Sequence, residues 1–457
     1  MVRWPEIKKV MNRERLTIAA LFVVFFFSRV FVYWRFGLPG FGYDFGIYHH
    51  LIGGYFEKLF SPPVPFGFTY FSNGLKLLGE STLSIQIGWY FFLALGLWAV
   101  WGYLVKSQAK DRNTIITALF LFSLSLTQFE FFRWYYYRSF LAIFFLLGAI
   151  WLFSRRSYWL IPVLAAMGVV HPLTLVPLAL TLLIYFFLVG KEEKKYLVIS
   201  LGFAFLFLLG NLPEYLLYFQ EIQKYGWLAQ GYVDQGRPHF TGQFIGWWRY
   251  ACFSWWYLPL ALLGLLRFWR QYLFWMIFLL VNLALLLSQT VFYHRYFVTL
   301  DLAILFFAAV WLAAVWQENR HIFLGRWLIG FWGIGLALTF SWQLIMVRPS
   351  LDPEEWQAIQ ELPALTESDY VVAFSDKEAP WLYGFSGKKV IAPNMFEENK
   401  WNREEWARFW LAQDISEVRF LLSRYGAPAV YIFLGEKNPV WRFDCEPVNT
   451  QICLCRL

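Results

Sequence analysis

The stretch Tyr43-Asp44-Phe45-Gly46-Ile47-Tyr48-His49-His50 sets one carboxylate and two imidazoles directly after the first long apolar segment of the chain. A carboxylate in that position can act as general base toward a hydroxyl when its geometry suits. Gly40, Gly42 and Gly46 surround Asp44, so the backbone there can bend closely around a substrate. The plainer roles are a solvated loop acid, or the cap of a helix beginning near Ile47. Several cations could hold an anion. Arg29 lies in the outer half of the first apolar segment, where a guanidinium snorkels, pairs or meets a phosphate. Arg138 follows Glu130 and Arg133, which are three apart and pair on a helix, leaving Arg138 with no obvious local partner. Arg295 opens a later apolar segment and is placed to hold a phosphate at the outer surface, while His294 and Asp301, seven apart on one helix face, could satisfy each other. His171 precedes Pro172, which pushes it out of helix; a histidine at such a turn is more often structural than catalytic.

The elements that position these residues are membrane helices. The 457 residues are 59% hydrophobic, 22% aromatic and 15% charged, against about 25% charged in ordinary soluble domains. Apolar segments run at 16–36, 83–105, 113–130, 139–154, 158–170, 173–189, 196–219, 251–268, 272–291, 297–316 and 327–347. The first reads as a signal-anchor span, since it is longer than a signal core and lacks a small-residue cleavage pattern. Basic residues precede it and then mark every second connection: Lys106/Lys110/Arg112, Arg155/Arg156, Lys191/Lys194/Lys195, Arg267/Arg270 and Arg320/Arg326. About eleven spans with the N-terminus inside and the C-terminus outside satisfy that pattern. The two halves of 158–189 are each shorter than the roughly 20 residues of a full span, and the charge pattern favours a hairpin turning at His171-Pro172. The formal charge of +8 is distributed as a positive-inside signature and not as a nucleic-acid footprint.

On this topology the outer side carries the first loop (37–82), short turns at 130–138 and 292–296, the aromatic-rich 220–250 loop and the C-terminal region. The expected division is a membrane domain over residues 1–348 and an extracytoplasmic α/β domain over 349–457. Strands are expected at 370–374, 389–392, 429–434 and 451–456, with a helical turn at 379–385 and a helical pattern at 403–425. Cys445 can bridge to Cys453 or Cys455, whereas Cys252 reads as a small buried apolar residue. Three cysteines without a neighbouring histidine make a poor zinc site. No cytoplasmic loop carries a P-loop or a Gly-rich nucleotide fingerprint, so a cytosolic nucleotide sugar is not the expected donor.

In the order of these features the chain resembles the GT-C superfamily of integral-membrane glycosyltransferases. The resemblance rests on Arg29 near the end of the first span and on Tyr-Asp-x-Gly-x-x-His from Tyr43 to His49. It rests also on the His171-Pro172 turn, on Arg295-Tyr-Phe-x-x-x-Asp301-Leu-Ala, and on the tail Asp369-Tyr-Val-Val…Trp381-x-Tyr-x-x-Ser-Gly387-Lys. It implies a polyprenyl-phosphate-linked sugar donor, an acceptor that is a glycan, lipid or protein, and an active site on the outer face of the cell membrane. It assigns Asp44 to the catalytic acid and Arg295 to the lipid phosphate, with Arg29, Arg138, His49, His294 and His171 as further substrate contacts. It fixes no cofactor, though a divalent metal fits the family; Asp44 stands alone where some members carry paired acids, which puts a metal requirement in doubt, and no metal ligands are assigned. Trp247-Trp248 is followed by Arg249 instead of an acid, which disfavours protein N-glycosylation. The competing expectation is a polytopic transporter or lipid-glycan flippase, which needs polar residues at mid-membrane depth and pseudo-repeats.

Overall fold

The computed structural model describes residues 4–42, 44–54, 83–109, 111–210, 212, 216, 232–234, 237–239, 245–289, 293–319, 323–375, 377–393, 398–435, 439 and 444–457. Most of the aromatic-rich 220–250 loop therefore lies outside the described residues. The chain divides into two compact units. One comprises Met1–Trp34, Phe60–Glu221 and Gln243–Val347; the other comprises Arg35–Leu59, Ile222–Gly242 and Arg348–Leu457. The second unit thus takes in the Asp44 segment as well as the C-terminal region.

The helices, in chain order across both units, begin with α1 (Trp4–Phe36), α2 (Asp44–Gly54), α3 (Leu83–Ala109), α4 (Arg112–Leu124), α5 (Leu126–Arg133) and α6 (Tyr137–Ser154). Then come α7 (Leu160–Val170), α8 (Pro172–Leu188), α9 (Lys191–Leu209), α10 (Trp247–Ser254), α11 (Leu258–Phe268), α12 (Leu273–Leu287), α13 (Tyr296–Asn319) and α14 (Phe323–Met346). All of these except α2 belong wholly or mainly to the first unit. Each of the eleven apolar segments expected from the sequence coincides at least in part with helix. By length and composition, five helices among the described residues can cross a membrane, or up to seven if the bent pairs α4/α5 and α10/α11 each count as one span. The lower count has two sources: α7, α8 and α12 are apolar but short, and α9 opens on the five charged residues 191–195.

Burial ranks the helices of this unit. The apolar stretch of α13 is 83% buried, whereas that of α14 is 11% buried. The bundle is therefore built around α13, which packs on α4, α11 and α12. Lipid tails are as apolar as Leu, so packing and polar pins hold such a bundle more than a hydrophobic drive does. One pin is Asp301 on α13, which is fully buried. Its carboxylate accepts from Ser125 Oγ at 2.8 Å, Gln128 Nε2 at 3.0 Å and Tyr257 Oη at 2.8 Å. Ser125 is the extended residue that breaks α4 from α5 at 50° and caps α5 by accepting from Gln128 N. Tyr257 immediately precedes α11, at the 78° break from α10. Asp301 therefore satisfies donors at both broken helices. The pairing expected between Asp301 and His294 is not formed; the Nδ1 of His294 meets the carbonyl of Ile245 instead.

In the second unit the C-terminal region forms α15 (Pro353–Glu361), α16 (Ala379–Phe385), α17 (Arg403–Leu411) and α18 (Ile415–Leu422). The short pair β1 (Tyr232–Asp234) and β2 (Arg237–His239) precedes a five-stranded sheet made of β3 (Tyr370–Ala373), β4 (Lys389–Ile391), β5 (Ala429–Phe433), β6 (Glu446–Pro447) and β7 (Ile452–Arg456). The strand order is β4-β3-β5-β7-β6; β3 runs parallel to β4 and β5, and β7 antiparallel to β5 and β6. β5 is central and fully buried, as its unbroken Ala-Val-Tyr-Ile-Phe run requires of a strand covered on both faces. Local signals set the helix starts. Asp352 with Glu355 and Asn402 with Glu405 form capping boxes, and Asp414 accepts from Ser416 N and Glu417 N. The cap at Asp414 splits the single pattern expected over 403–425 into α17 and α18. Cys445 pairs with Cys453 and leaves Cys455 as a buried thiol. Cys252, expected to be buried, is exposed on the surface of α10.

The unit also buries two carboxylates. Glu355 and Glu378 are 1% and 3% exposed, and a side-chain carbon placed on Gly435 would lie 3.3 Å and 3.2 Å from their respective Oε1 atoms. Lys377 Nζ lies 3.2 Å from Glu355 Oε2. Burial above all, with the neighbouring charge of Glu355, pushes the Glu378 carboxyl up to about 7 from an ordinary 4.5. A native pKa above the unfolded one means that the folded state holds the extra proton, so this stability is fully present below about pH 4.5 and is lost as pH rises through 7. The shift corresponds to about 3 kcal/mol. Thermal melts of the purified chain at pH 5 and pH 8 are expected to show that loss, and Glu378→Gln is expected to flatten it. An unchanged slope in the variant would place the titration elsewhere.

Candidate functional site

The turn between α5 and α6 is tight. Tyr135 adopts φ 60°, a left-handed conformation that bulky residues seldom take. Such backbone strain, of order 1–3 kcal/mol, is found most often at functional sites. The turn leads into Arg138 and Ser139 at the start of α6. At the α7–α8 break, His171 takes φ −156° and ψ 89° between two helices, with Pro172 at the first position of α8. A proline there needs no N–H and holds its predecessor out of helix. The hairpin read from the sequence thus breaks at the expected dipeptide.

Three of the predicted site residues meet here. His171 is 1% exposed; its Nε2 lies 3.1 Å from Ser139 Oγ and 3.4 Å from Arg295 Nη1, and its Nδ1 lies 2.7 Å from Thr174 Oγ1. Arg295 Nη1 also reaches Ser139 Oγ at 3.5 Å, and its guanidinium carbon sits 4.7 Å from the centre of the Tyr136 ring. Arg138 lies within electrostatic range of the same imidazole. Its buried Nε has no hydrogen-bond partner among the described residues. Two guanidiniums around one neutral ring concentrate positive charge where an anion would be held.

Arg29 and His294 do not join this cluster. The Nη1 of Arg29 donates to Ser28 Oγ and to the carbonyl of Ser123, both at 2.8 Å, and its guanidinium stacks 4.0 Å from the Phe25 ring. Ser123 belongs to the last turn of α4, whose terminal carbonyls lack helical partners and favour a cation. Arg29 is thus turned into the bundle as a helix-end cap, which corrects both the snorkelling and the phosphate readings. His294 is buried against Ile245 and Tyr293. Glu130 pairs with Arg133 at 2.9 Å, as its spacing predicted, and also meets Arg249 at 3.4 Å.

Asp44 and His49 belong to the second unit. α2 begins at Asp44 rather than near Ile47, so the carboxylate sits in the first helical turn, 7% exposed, where negative charge is favoured. α2 lies directly on α16. A side-chain carbon on Gly46 would fall 2.0 Å from the Pro380 carbonyl oxygen, and one on Gly384 would fall 2.5 Å from that of Gly46. Phe45 stacks between Phe41 and Phe385, at 5.4 and 6.0 Å, and His49 stacks on Phe385 at 4.5 Å. His50 lies 3.9 Å from the ring of Tyr383. His49 is therefore part of an aromatic layer that seats α2. The preceding segment is tied down by Ser350, whose Oγ donates to the carbonyls of Pro39 and Phe41 at 2.9 and 2.7 Å.

Ser139, Thr174 and Tyr136 were not singled out by sequence reasoning. Ser139 adjoins Arg138 and Thr174 lies three residues after His171, but nothing in the linear pattern links α6, α8 and Arg295. Among the described residues no three His, Cys, Asp or Glu side chains group as a metal site.

No family model and no curated protein matches the chain. Among solved structures it is similar to the archaeal oligosaccharyltransferase AglB from Archaeoglobus fulgidus, in complex with an inhibitory peptide and a dolichol-phosphate. The TM-score is 0.61 at 12% identity, over 94% of this chain and 70% of that one. The likeness is one of fold alone: this mainly helical chain, with five to seven helices long and apolar enough to cross a membrane among its described residues, shares the fold of that oligosaccharyltransferase.

Proposed function

We propose that this chain is a multi-pass glycosyltransferase that moves a sugar from a polyprenyl-phosphate donor to an acceptor hydroxyl on the outer face of the membrane, with inversion. The observation that carries the reading is the gathering of Arg138 from the start of α6, His171 from the α7–α8 break and Arg295 from the turn before α13. The fold shared with a protein whose structure holds a dolichol-phosphate supports it. In the reaction the acceptor oxygen attacks the anomeric carbon and its proton passes to the Asp44 carboxylate. The bond from that carbon to the phosphate oxygen breaks, and the lipid phosphate leaves with the electron pair. Arg295, with Arg138, stabilises the charge that develops on the phosphate, usually the largest catalytic contribution of such a site. The acceptor is a glycan, lipid or protein hydroxyl. The polar groups of the spans argue against a transport pathway, since Asp301 is saturated by its three donors and Asn282 bonds Phe278 and Thr299.

The direct test incubates the purified chain with a panel of polyprenyl-phosphate sugars and follows release of the lipid phosphate. Release from none of them, by folded protein with acceptors supplied, would overturn the reading. Arg295→Glu is expected to weaken use of the donor about 10- to 100-fold, the scale of a lost hydrogen bond to a charged group. An unchanged donor dependence would remove Arg295 from the phosphate site.

A further inference from the structure

We infer that His171 is a positioning residue that aims the guanidinium of Arg295, and is not itself a ligand of the substrate. The inference rests on the reading of Arg295 as the donor-phosphate residue. Its evidence is the order of donors around a wholly buried ring. Arginine can only donate, so the Nε2 of His171, 3.4 Å from Arg295 Nη1, must be an acceptor. The ring proton then sits on Nδ1 and is given to Thr174 Oγ1 at 2.7 Å. The Ser139 hydroxyl, 3.1 Å from Nε2 and 3.5 Å from Arg295 Nη1, accepts from the arginine and donates to the ring. Every donor in the chain Arg295–Ser139–His171–Thr174 then points away from the cation. The other tautomer would set an imidazole N–H against an arginine N–H. A protonated ring would add a third positive charge beside Arg295 and Arg138, on an imidazole that is itself only 1% exposed.

The backbone makes this placement. Pro172 holds His171 out of helix, while the His171 N–H still meets the Met167 carbonyl at 2.9 Å and the His171 carbonyl accepts from Thr174 N at 3.0 Å. The ring is thereby turned from the hairpin toward Ser139 of α6 and toward Arg295. Anchoring Nη1 at one edge, with the guanidinium over the Tyr136 ring at 4.7 Å, fixes the guanidinium plane. A fixed plane is what forked recognition of a phosphate requires.

The test compares His171→Phe, which removes the acceptor, with His171→Gln, which offers an oxygen near the position of Nε2. The full chain in detergent is titrated with farnesyl phosphate while its unfolding temperature is followed. In parallel, KM for the lipid-linked donor and for the acceptor are measured. His171→Phe is expected to weaken farnesyl phosphate binding and raise the donor KM about tenfold, with the acceptor KM unmoved, and His171→Gln to restore both to within about twofold. Phe behaving as wild type, or Gln as impaired as Phe, would overturn the inference; the second result would mean that the ring only fills space. Should His171→Phe fail to fold, Thr174→Val keeps the imidazole and removes the acceptor that fixes its tautomer; a donor KM equal to that of wild type would overturn the inference equally. If the wild type neither binds farnesyl phosphate nor releases phosphate from any lipid-linked sugar, the reading of Arg295 falls and the inference falls with it. If the wild type does both and His171→Phe is indistinguishable from it, the inference alone fails.

Discussion

Replacing Asp44 by Asn is expected to cut sugar transfer by about 10²- to 10⁴-fold, the usual contribution of a positioned general base. Expression in the membrane and the unfolding temperature are expected to stay unchanged. The substitution keeps size and planarity, so the first turn of α2 and the seating of Phe45 beside it survive. What is lost is the group able to take the acceptor proton. A structural role would give a different result: an acid at the first turn of a helix contributes about 0.3–1 kcal/mol through the helix dipole, a deficit visible in melting and worth less than tenfold in rate. Kinetics therefore separate the two readings of this residue. The measurement is single-turnover transfer with the lipid-linked donor that wild type uses, alongside a melt in the same detergent. Wild-type turnover in the Asn variant would remove Asp44 from the chemistry.

Much of the fold was legible because local chemistry and tertiary packing agree. The α/β unit is the clearest case: strands expected at 370–374, 389–392, 429–434 and 451–456 are observed at Tyr370–Ala373, Lys389–Ile391, Ala429–Phe433 and Ile452–Arg456. These segments are β-branched and aromatic runs bounded by turns, and they pack as such. The split of 403–425 was missed although Asp414 is a strong helix cap, because the apolar positions on either side continue one pattern. The capping box of α15 is likewise local, spelled by Asp352-Pro-Glu-Glu355. In the bundle, apolar runs located the helices and Pro172 marked the break at His171, but the bends at Ser125 and Tyr257 depend on a partner, Asp301, far along the chain.

The candidate site was legible as types of residue and hardly at all as partnerships. Arg295, Arg138 and His171 were picked out separately, each as a cation or imidazole beside an apolar run; that one ring would join them is a property of tertiary packing. Arg29 was misread for an instructive reason. Depth in a span marks a guanidinium as costly, but a broken helix nearby offers carbonyls that sequence cannot foresee, and Ser123 supplies one. His294 went the same way: seven-residue spacing put it on the face of Asp301, yet the hydroxyls and amide at the two helix breaks took the carboxylate first.

Gly46→Ala is expected to produce the largest structural defect of any single methyl addition in the α/β unit. The added carbon would sit 2.0 Å from the Pro380 carbonyl oxygen and 2.6 Å from its carbon, both backbone atoms of α16 that no rotamer change can move. α2 and α16 must therefore separate, and the layer of Phe45, His49, Trp381 and Phe385 between them opens. Overpacking in cores commonly costs about 1–3 kcal/mol, and a clash of backbone on backbone belongs at or above the top of that range. The expected readouts are a lower unfolding temperature, loss of near-UV tryptophan signal and protease cleavage within α2. Gly384→Ala, whose added carbon meets the Gly46 carbonyl oxygen at 2.5 Å, is expected to show the same defect. The double variant should cost less than the sum of the two, because the first separation already makes room for the second methyl. Gly88 of α3 is the control, since nothing lies within 4 Å of its added carbon. Alanine there is expected to be neutral or to stabilise by up to about 1 kcal/mol through helix propensity alone. If Gly46→Ala melted like Gly88→Ala, the close crossing of α2 on α16 would be wrong, and Asp44 would lose the scaffold that holds it.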